Sequence, residues 1–257
     1  MEKQRLIWAN INYFETWRLI VEGSDLSEIL EYDGLLITDC GQPFAFFNIA
    51  FVLRPLRRSE ESYERALRHF TDRHLPSIIC FPPGLDDVSE TFVTSRGHKP
   101  AAPHPGMTLF PIPKPSDKSH ELEIRAVTDD KELELFQTTA EAAFNMPFSL
   151  PQHLLKNRFR DHPAVSMFLG FVNDMPVSTS CLVTTGSVAG VYWVSTLPEY
   201  RHRGYGTTMS WHAVSAGREL GCDMATLQAS VMGRPVYERM SFKVTADFRR
   251  YILTSED

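Results

Sequence analysis

Residues 191–220 read VYWVSTLPEYRHRGYGTTMSWHAVSAGREL, and this stretch decides the fold class. β-Branched and aromatic residues over 191–197 predict a strand. Pro198 ends it. The turn Arg201-His202-Arg203-Gly204-Tyr205-Gly206 then leads into a helical pattern, with Met209, Ala213, Ala216 and Leu220 recurring on one face. A strand that passes through a glycine turn into a helix gathers backbone N–H groups and the positive end of a helix dipole around one small volume, which suits an anion. Gly204 and Gly206 keep β-carbons out of that volume, while Arg201 and Arg203 add mobile charge at its rim. The plainer alternative is a solvated turn, in which His202 and Arg203 are only surface charges.

Other nucleotide loops fit less well. A mononucleotide P-loop needs Gly-Lys-Ser/Thr after the glycine turn, and no such lysine follows here. A dinucleotide fingerprint needs a third glycine where Met209 stands, within an early βαβ unit. The pattern R/Q-x-x-G-x-G/A, met by Arg201, Gly204 and Gly206, resembles the pyrophosphate loop of the GNAT superfamily of acyl-CoA N-acyltransferases. About 30 residues further on, GRPVYERMSF is similar to that family's Y-E-x-x-G-F, with Tyr237 at the tyrosine and Ser241 in place of the glycine. Two motifs in the right order are far more specific than a lone G-x-G.

The resemblance spans residues 122–253 and implies an α/β domain of the α+β type: a mixed, mostly antiparallel sheet flanked by helices. It implies acetyl-CoA as cosubstrate and a small-molecule or peptide amine as acceptor, joined by direct attack. Val194, Ser195 and Thr196 would pair with the pantetheine arm. Arg201, His202, Arg203, Gly204, Tyr205, Gly206 and Thr207 would surround the pyrophosphate, and Tyr237 would protonate the departing thiolate. The strand over 191–197 carries no carboxylate, so a water relay is expected to remove the amine proton. An acyl-CoA-binding regulatory module without turnover is the competing reading, motivated by that missing base and by Ser241.

Upstream, residues 99–119 hold six prolines and set a boundary between a first domain, 1–115, and a second, 120–257. Residues 107–110 inside this stretch read as a last edge strand of the first domain. In that domain, strands are expected over 34–38, 44–53 and 77–81, and helices over 59–75 and 86–95, the first capped by Ser59. This order resembles a degenerate copy of the second domain. Where the glycine loop should stand, the chain reads RPLRRSEES, without glycine. In the second domain, strands are expected at 122–126, 165–172, 177–184, 188–196, 224–229 and 242–253. Helices are expected at 131–144, 150–159, 205–220 and 235–240. Phe144-Asn145-Met146-Pro147-Phe148 joins two helices where relatives shape the acceptor site, and Trp193 and Trp211 read as core residues.

Composition narrows the class. With 257 residues, 43% hydrophobic and 23% charged, the chain can build one large core or two ordinary domains. No stretch is apolar enough for a membrane span or signal peptide, so a cytoplasmic protein is expected. Cys40, Cys80, Cys181 and Cys222 form no C-x-x-C pair, and His69 and His74 miss the helical spacing of metal ligands, so no metal is expected. A net charge of -6 disfavours nucleic acid and mildly favours cationic acceptors.

Overall fold

Two sheets, each mostly antiparallel with one parallel pair, organise the chain in a computed structural model that describes residues 2–85, 87–114, 121–146 and 149–253. The elements are α1 (Glu2–Glu22), β1 (Glu28–Tyr32), β2 (Leu35–Asp39), β3 (Ile49–Val52), α2 (Ser59–Asp72), β4 (Ser77–Phe81), α3 (Asp87–Ser95) and β5 (Gly106–Leu109). Then follow β6 (Glu123–Ala126), α4 (Asp130–Phe144), α5 (Leu150–Leu154), α6 (Asn157–Arg160), β7 (Val165–Val172), β8 (Met175–Thr185) and β9 (Val188–Thr196). The chain continues with α7 (Tyr205–Glu219), β10 (Met224–Gln228), α8 (Arg234–Arg239), β11 (Lys243–Ala246) and β12 (Arg249–Leu253).

The smaller sheet has the order β1-β2-β3-β4-β12 and the larger β11-β5-β10-β9-β8-β7-β6. A strand–helix–strand unit repeats: β3 and β4 pair in parallel around α2, as β9 and β10 do around α7. The expected edge strand of the first half, β5, instead lies inside the larger sheet, antiparallel to both β10 and β11. The single strand expected over 242–253 is two strands in different sheets, since β12 pairs antiparallel with β4. Each sheet therefore takes one strand from the other half's sequence. An apolar run fixes a strand's period but not its neighbour, which is why sequence patterning misses this exchange.

Three local differences have plain causes. The strand expected over 44–53 is a 3-10 turn at Ala45–Phe47 followed by β3, with Asn48 turned inward to serve Cys40 N and the carbonyls of Gln42 and Pro76. Helix α2 begins at Ser59, but Arg58 occupies the cap position and no side chain caps it; Glu60 and Glu61 do stand in its first turn. The helix expected over 150–159 breaks into α5 and α6 around Leu155, whose carbonyl accepts from Gln137 Nε2 at 2.7 Å.

Helix α1, which the sequence reading missed, lies in the core that joins the halves. Tyr13, Phe14, Trp17, Ile20 and Val21 are buried in the same cluster as Phe47 and Phe51 of the first half and Tyr192 and Trp193 of the second. Asn12, fully buried on this helix, donates to Val183 O at 2.9 Å and accepts from the Tyr192 hydroxyl at 2.7 Å. Gly190 of β9 makes this approach possible, because a Cβ there would stand 2.1 Å from Asn12 Oδ1 and 2.4 Å from Tyr192 Cε2. Gly190→Ala is expected to cost about 2–4 kcal/mol through overpacking and a broken buried hydrogen bond, read as a lower midpoint in urea unfolding.

Candidate active site

The site starts where β9 and β10 part. Their parallel register covers only Val188, Ala189 and Gly190 against Met224, Ala225 and Thr226. Beyond Gly190, β10 stays paired with β5 and β9 stays paired with β8, so one edge of β9 over 191–196 faces no strand. A bulge adds to the opening. Tyr192 pairs with Cys181 and Ser195 with Thr179, so two residues of β9 oppose one of β8, and Trp193 takes φ +51°. β8 hydroxyls hold the displaced backbone: Thr179 Oγ1 donates to Trp193 O at 2.6 Å, and Ser178 Oγ donates to Ser195 O. The free edge of Val194, Ser195 and Thr196 is thus a fixed template for an extended chain carrying amides.

At the end of this edge stands the start of α7. Gly204 sits at its cap position with φ +82°, a conformation that favours glycine, and His202 takes φ +62°. No side chain caps this helix and no acid stands in its first turn. The first N–H groups of a helix have no partner within it, and here they open on the cavity. A Cβ on Gly206 would meet only Thr196 Oγ1, at 3.8 Å, so the glycine leaves space at the helix start. Arg201 is tethered rather than mobile: its Nε donates to Thr196 O at 3.1 Å and its Nη2 to Ala143 O at 2.8 Å, tying the turn to β9 and α4. Arg203 lies outside, with Nη2 on Glu199 O and its guanidinium 5.1 Å from the Tyr200 ring.

Tyr237, on α8, faces the same space. Burial pushes its hydroxyl up to about 12, opposed by a hydrogen bond with Ser210 of α7, so the phenol keeps its proton at neutral pH. Ser210 Oγ also donates to Gly206 O at 2.8 Å, which links the tyrosine's surroundings to the glycine turn. Ser241, which replaces the family's glycine, takes φ +69°. Ser241→Gly is expected to stabilise the fold by roughly 0.5 kcal/mol, relief of left-handed strain outweighing the entropy of glycine, read as a small rise in melting temperature.

One cavity of about 980 Å³ joins these parts, lined by Val194, Ser195, Thr196, Arg201, His202, Gly204, Tyr205, Gly206, Thr207 and Tyr237. Of the residues selected from sequence, Arg203 alone does not line it. Its far wall comes from residues the sequence reading passed over: Trp17 of α1, Phe44, Phe46 and Phe47, His104, and Arg250 of β12. Trp193 is a wall residue as much as a core one, its ring stacked at 5.7 Å on Phe47, which stacks in turn on Trp17 at 5.8 Å. Phe144, Asn145 and Met146 line the cavity as well, while Pro147 and Phe148 lie outside the described residues. Burial, with the Arg250 charge beside it, pushes His104 down to about 3, so it is neutral at ordinary pH. Among the described residues no Asp or Glu lines the cavity, whereas Arg201, Arg239 and Arg250 do. The net negative surface charge predicts cationic acceptors, but the cavity wall carries the opposite sign.

A sequence profile of the acetyltransferase (GNAT) family matches residues 132–242. A comparison with curated proteins gave no match. Among solved structures, the chain resembles a GCN5-related N-acetyltransferase from Kribbella flavida at TM-score 0.71 and 16% identity, covering 97% of this chain and 96% of that one. It resembles another from Sphaerobacter thermophilus at TM-score 0.63 and 14% identity, over 90% and 77% of the two chains. A tandem GNAT protein from the clavulanic acid biosynthesis pathway superposes at TM-score 0.59 and 11% identity, over 91% and 86%. Identities this low speak for the fold, and the fold they share is that of two GNAT-like halves. Residues 132–242, which contain the split strand, the glycine turn and the tyrosine, form a domain of the acetyltransferase (GNAT) family, a family of acyl-CoA-dependent acyltransferases.

Proposed function

We propose that this protein is an N-acetyltransferase that moves an acetyl group from acetyl-CoA to a primary amine by direct attack in a ternary complex. The supporting observation is convergence: the unpaired edge of β9, the uncapped start of α7 and Tyr237 all border one cavity. In this reading the first-turn N–H groups of α7 hold the pyrophosphate, with Gly204 and Gly206 leaving room for it. Val194, Ser195 and Thr196 align the pantetheine arm by backbone pairing, which directs the thioester into the split. The amine nitrogen bonds to the carbonyl carbon, the carbon–sulfur bond breaks, and Tyr237 passes its proton to the sulfur. The proton lost by the amine leaves through water, since no carboxylate borders the cavity among the described residues and His104 is too weak a base. We assign 120–257, completed by β5, to the transferase domain and 1–115, completed by β12, to a GNAT-like accessory half that walls the acceptor side.

The test is a calorimetric titration with acetyl-CoA followed by an amine screen that detects free thiol. About one site per chain with micromolar affinity is expected. No heat and no thermal stabilisation at about millimolar ligand overturns the reading. The missing carboxylate also favours a second reading, an acyl-CoA-binding module without turnover; binding without thiol release across the screen selects it.

A further inference from the structure

We infer that the acceptor amine carries a carboxylate and that Arg250 receives it, an inference that rests on the acetyltransferase reading of the same cavity. Arg250 is 7% exposed and lines the cavity's aromatic wall. Its Nη2 donates to Ala102 O at 2.8 Å, while its Nε and Nη1 are buried without any hydrogen-bond partner. Its neighbour shows what the fold does with an arginine it intends to neutralise. Arg249, on the opposite face of β12, is paired with Glu90 at 2.6 Å. No ion pair joins Arg250 to a carboxylate among the described residues, and His104 beside it is held neutral. A buried guanidinium left with one carbonyl, the neighbouring Tyr13 hydroxyl and the face of Phe46, 5.9 Å away, but no carboxylate, is costly unless a ligand completes it. A planar fork of donors calls for a carboxylate.

A second orphan fits the amine of such a ligand. Gln228 Oε1 is a buried acceptor without a partner, on the last residue of β10, and it also lines the cavity. An acceptor oxygen beside the split suits an amine N–H, as the guanidinium suits a carboxylate. In the same cavity, Trp17, Phe46, Phe47 and Trp193 offer flat apolar walls. The chemistry that matches all three is a zwitterionic amine with an apolar or aromatic body, such as an aromatic amino acid.

The test compares phenylalanine with phenethylamine, and tryptophan with tryptamine, in acetyl-CoA-dependent thiol release. The acid of each pair is expected to show a kcat/KM about thirtyfold or more above its decarboxylated partner, the range of a charged hydrogen-bond pair. Arg250→Met is expected to bring that ratio close to one, and Arg250→Lys to restore part of it, with acetyl-CoA titration of each variant reporting an intact fold. A ratio at or below one in the parent, a ratio unchanged in Arg250→Met, or acetyl-CoA binding with no member of either pair consumed overturns the inference alone. Absence of acetyl-CoA binding to the parent removes the acetyltransferase reading and the inference with it.

Discussion

Gly206→Asp is expected to fold at least as well as the parent and to lose acetyl-CoA. The second residue of α7 has room for a side chain, since its Cβ would meet only Thr196 Oγ1 at 3.8 Å. Aspartate in a first helical turn favours the positive end of the dipole, and replacing a helical glycine removes backbone entropy; together these add roughly 0.5–1 kcal/mol of stability. The same carboxylate would occupy the space in which a phosphate meets the free N–H groups of α7, and would repel it. Affinity is expected to fall by about a hundredfold or more, with the melting temperature unchanged or higher. Calorimetry and thermal unfolding on the same sample read both signs. Affinity kept within a few-fold would mean the start of α7 does not hold the pyrophosphate.

Tyr237→Phe is expected to lower turnover by about a hundredfold while leaving acetyl-CoA affinity within about twofold, because a proton donor acts on the leaving sulfur and not on the bound thioester. The pH profile carries a second expectation. Burial holds the hydroxyl up to about 12, so the parent's rate should rise as the amine deprotonates, with no falling limb from this phenol below roughly pH 11. Its contribution to stability has the matching sign: the folded state favours the protonated phenol, so the gain is complete below the unfolded value of 10 and is lost as pH rises through 12. Single-turnover kinetics separates the chemical step from product release. Equal turnover in the variant would take Tyr237 out of the mechanism.

What the sequence disclosed is what local chemistry encodes. The glycine turn was legible from the R-x-x-G-x-G spacing between a strand and a helix, although the left-handed φ of Gly204 was not foreseen; α7 was legible from its apolar spacing, of which Met209 and Ala213 are buried while Leu220 is exposed. The bulge was not legible, since nothing about Trp193 announces a positive φ; the hydroxyls of Ser178 and Thr179 that hold it lie on the neighbouring strand. Helix α1 escaped because buried Asn12 and Thr16 interrupt the apolar stripe that its aromatic residues would otherwise draw. Arg250 left one usable signal. Two consecutive arginines in a strand point to opposite faces, so when Arg249 turns outward to Glu90 its neighbour must turn in.

The exchange of β5 and β12 also sets an order of events during synthesis. Strand β4, whose sequence SIICF is buried along its whole length, has β3 on one side and waits for β12 on the other. That partner leaves the ribosome only after every strand of the larger sheet has been made. Until then the nascent amino-terminal half presents an apolar, unpaired edge of high β-propensity, the kind of surface that recruits foreign strands. A chaperone that shields β4 during translation would be guarding the seat of a strand not yet born.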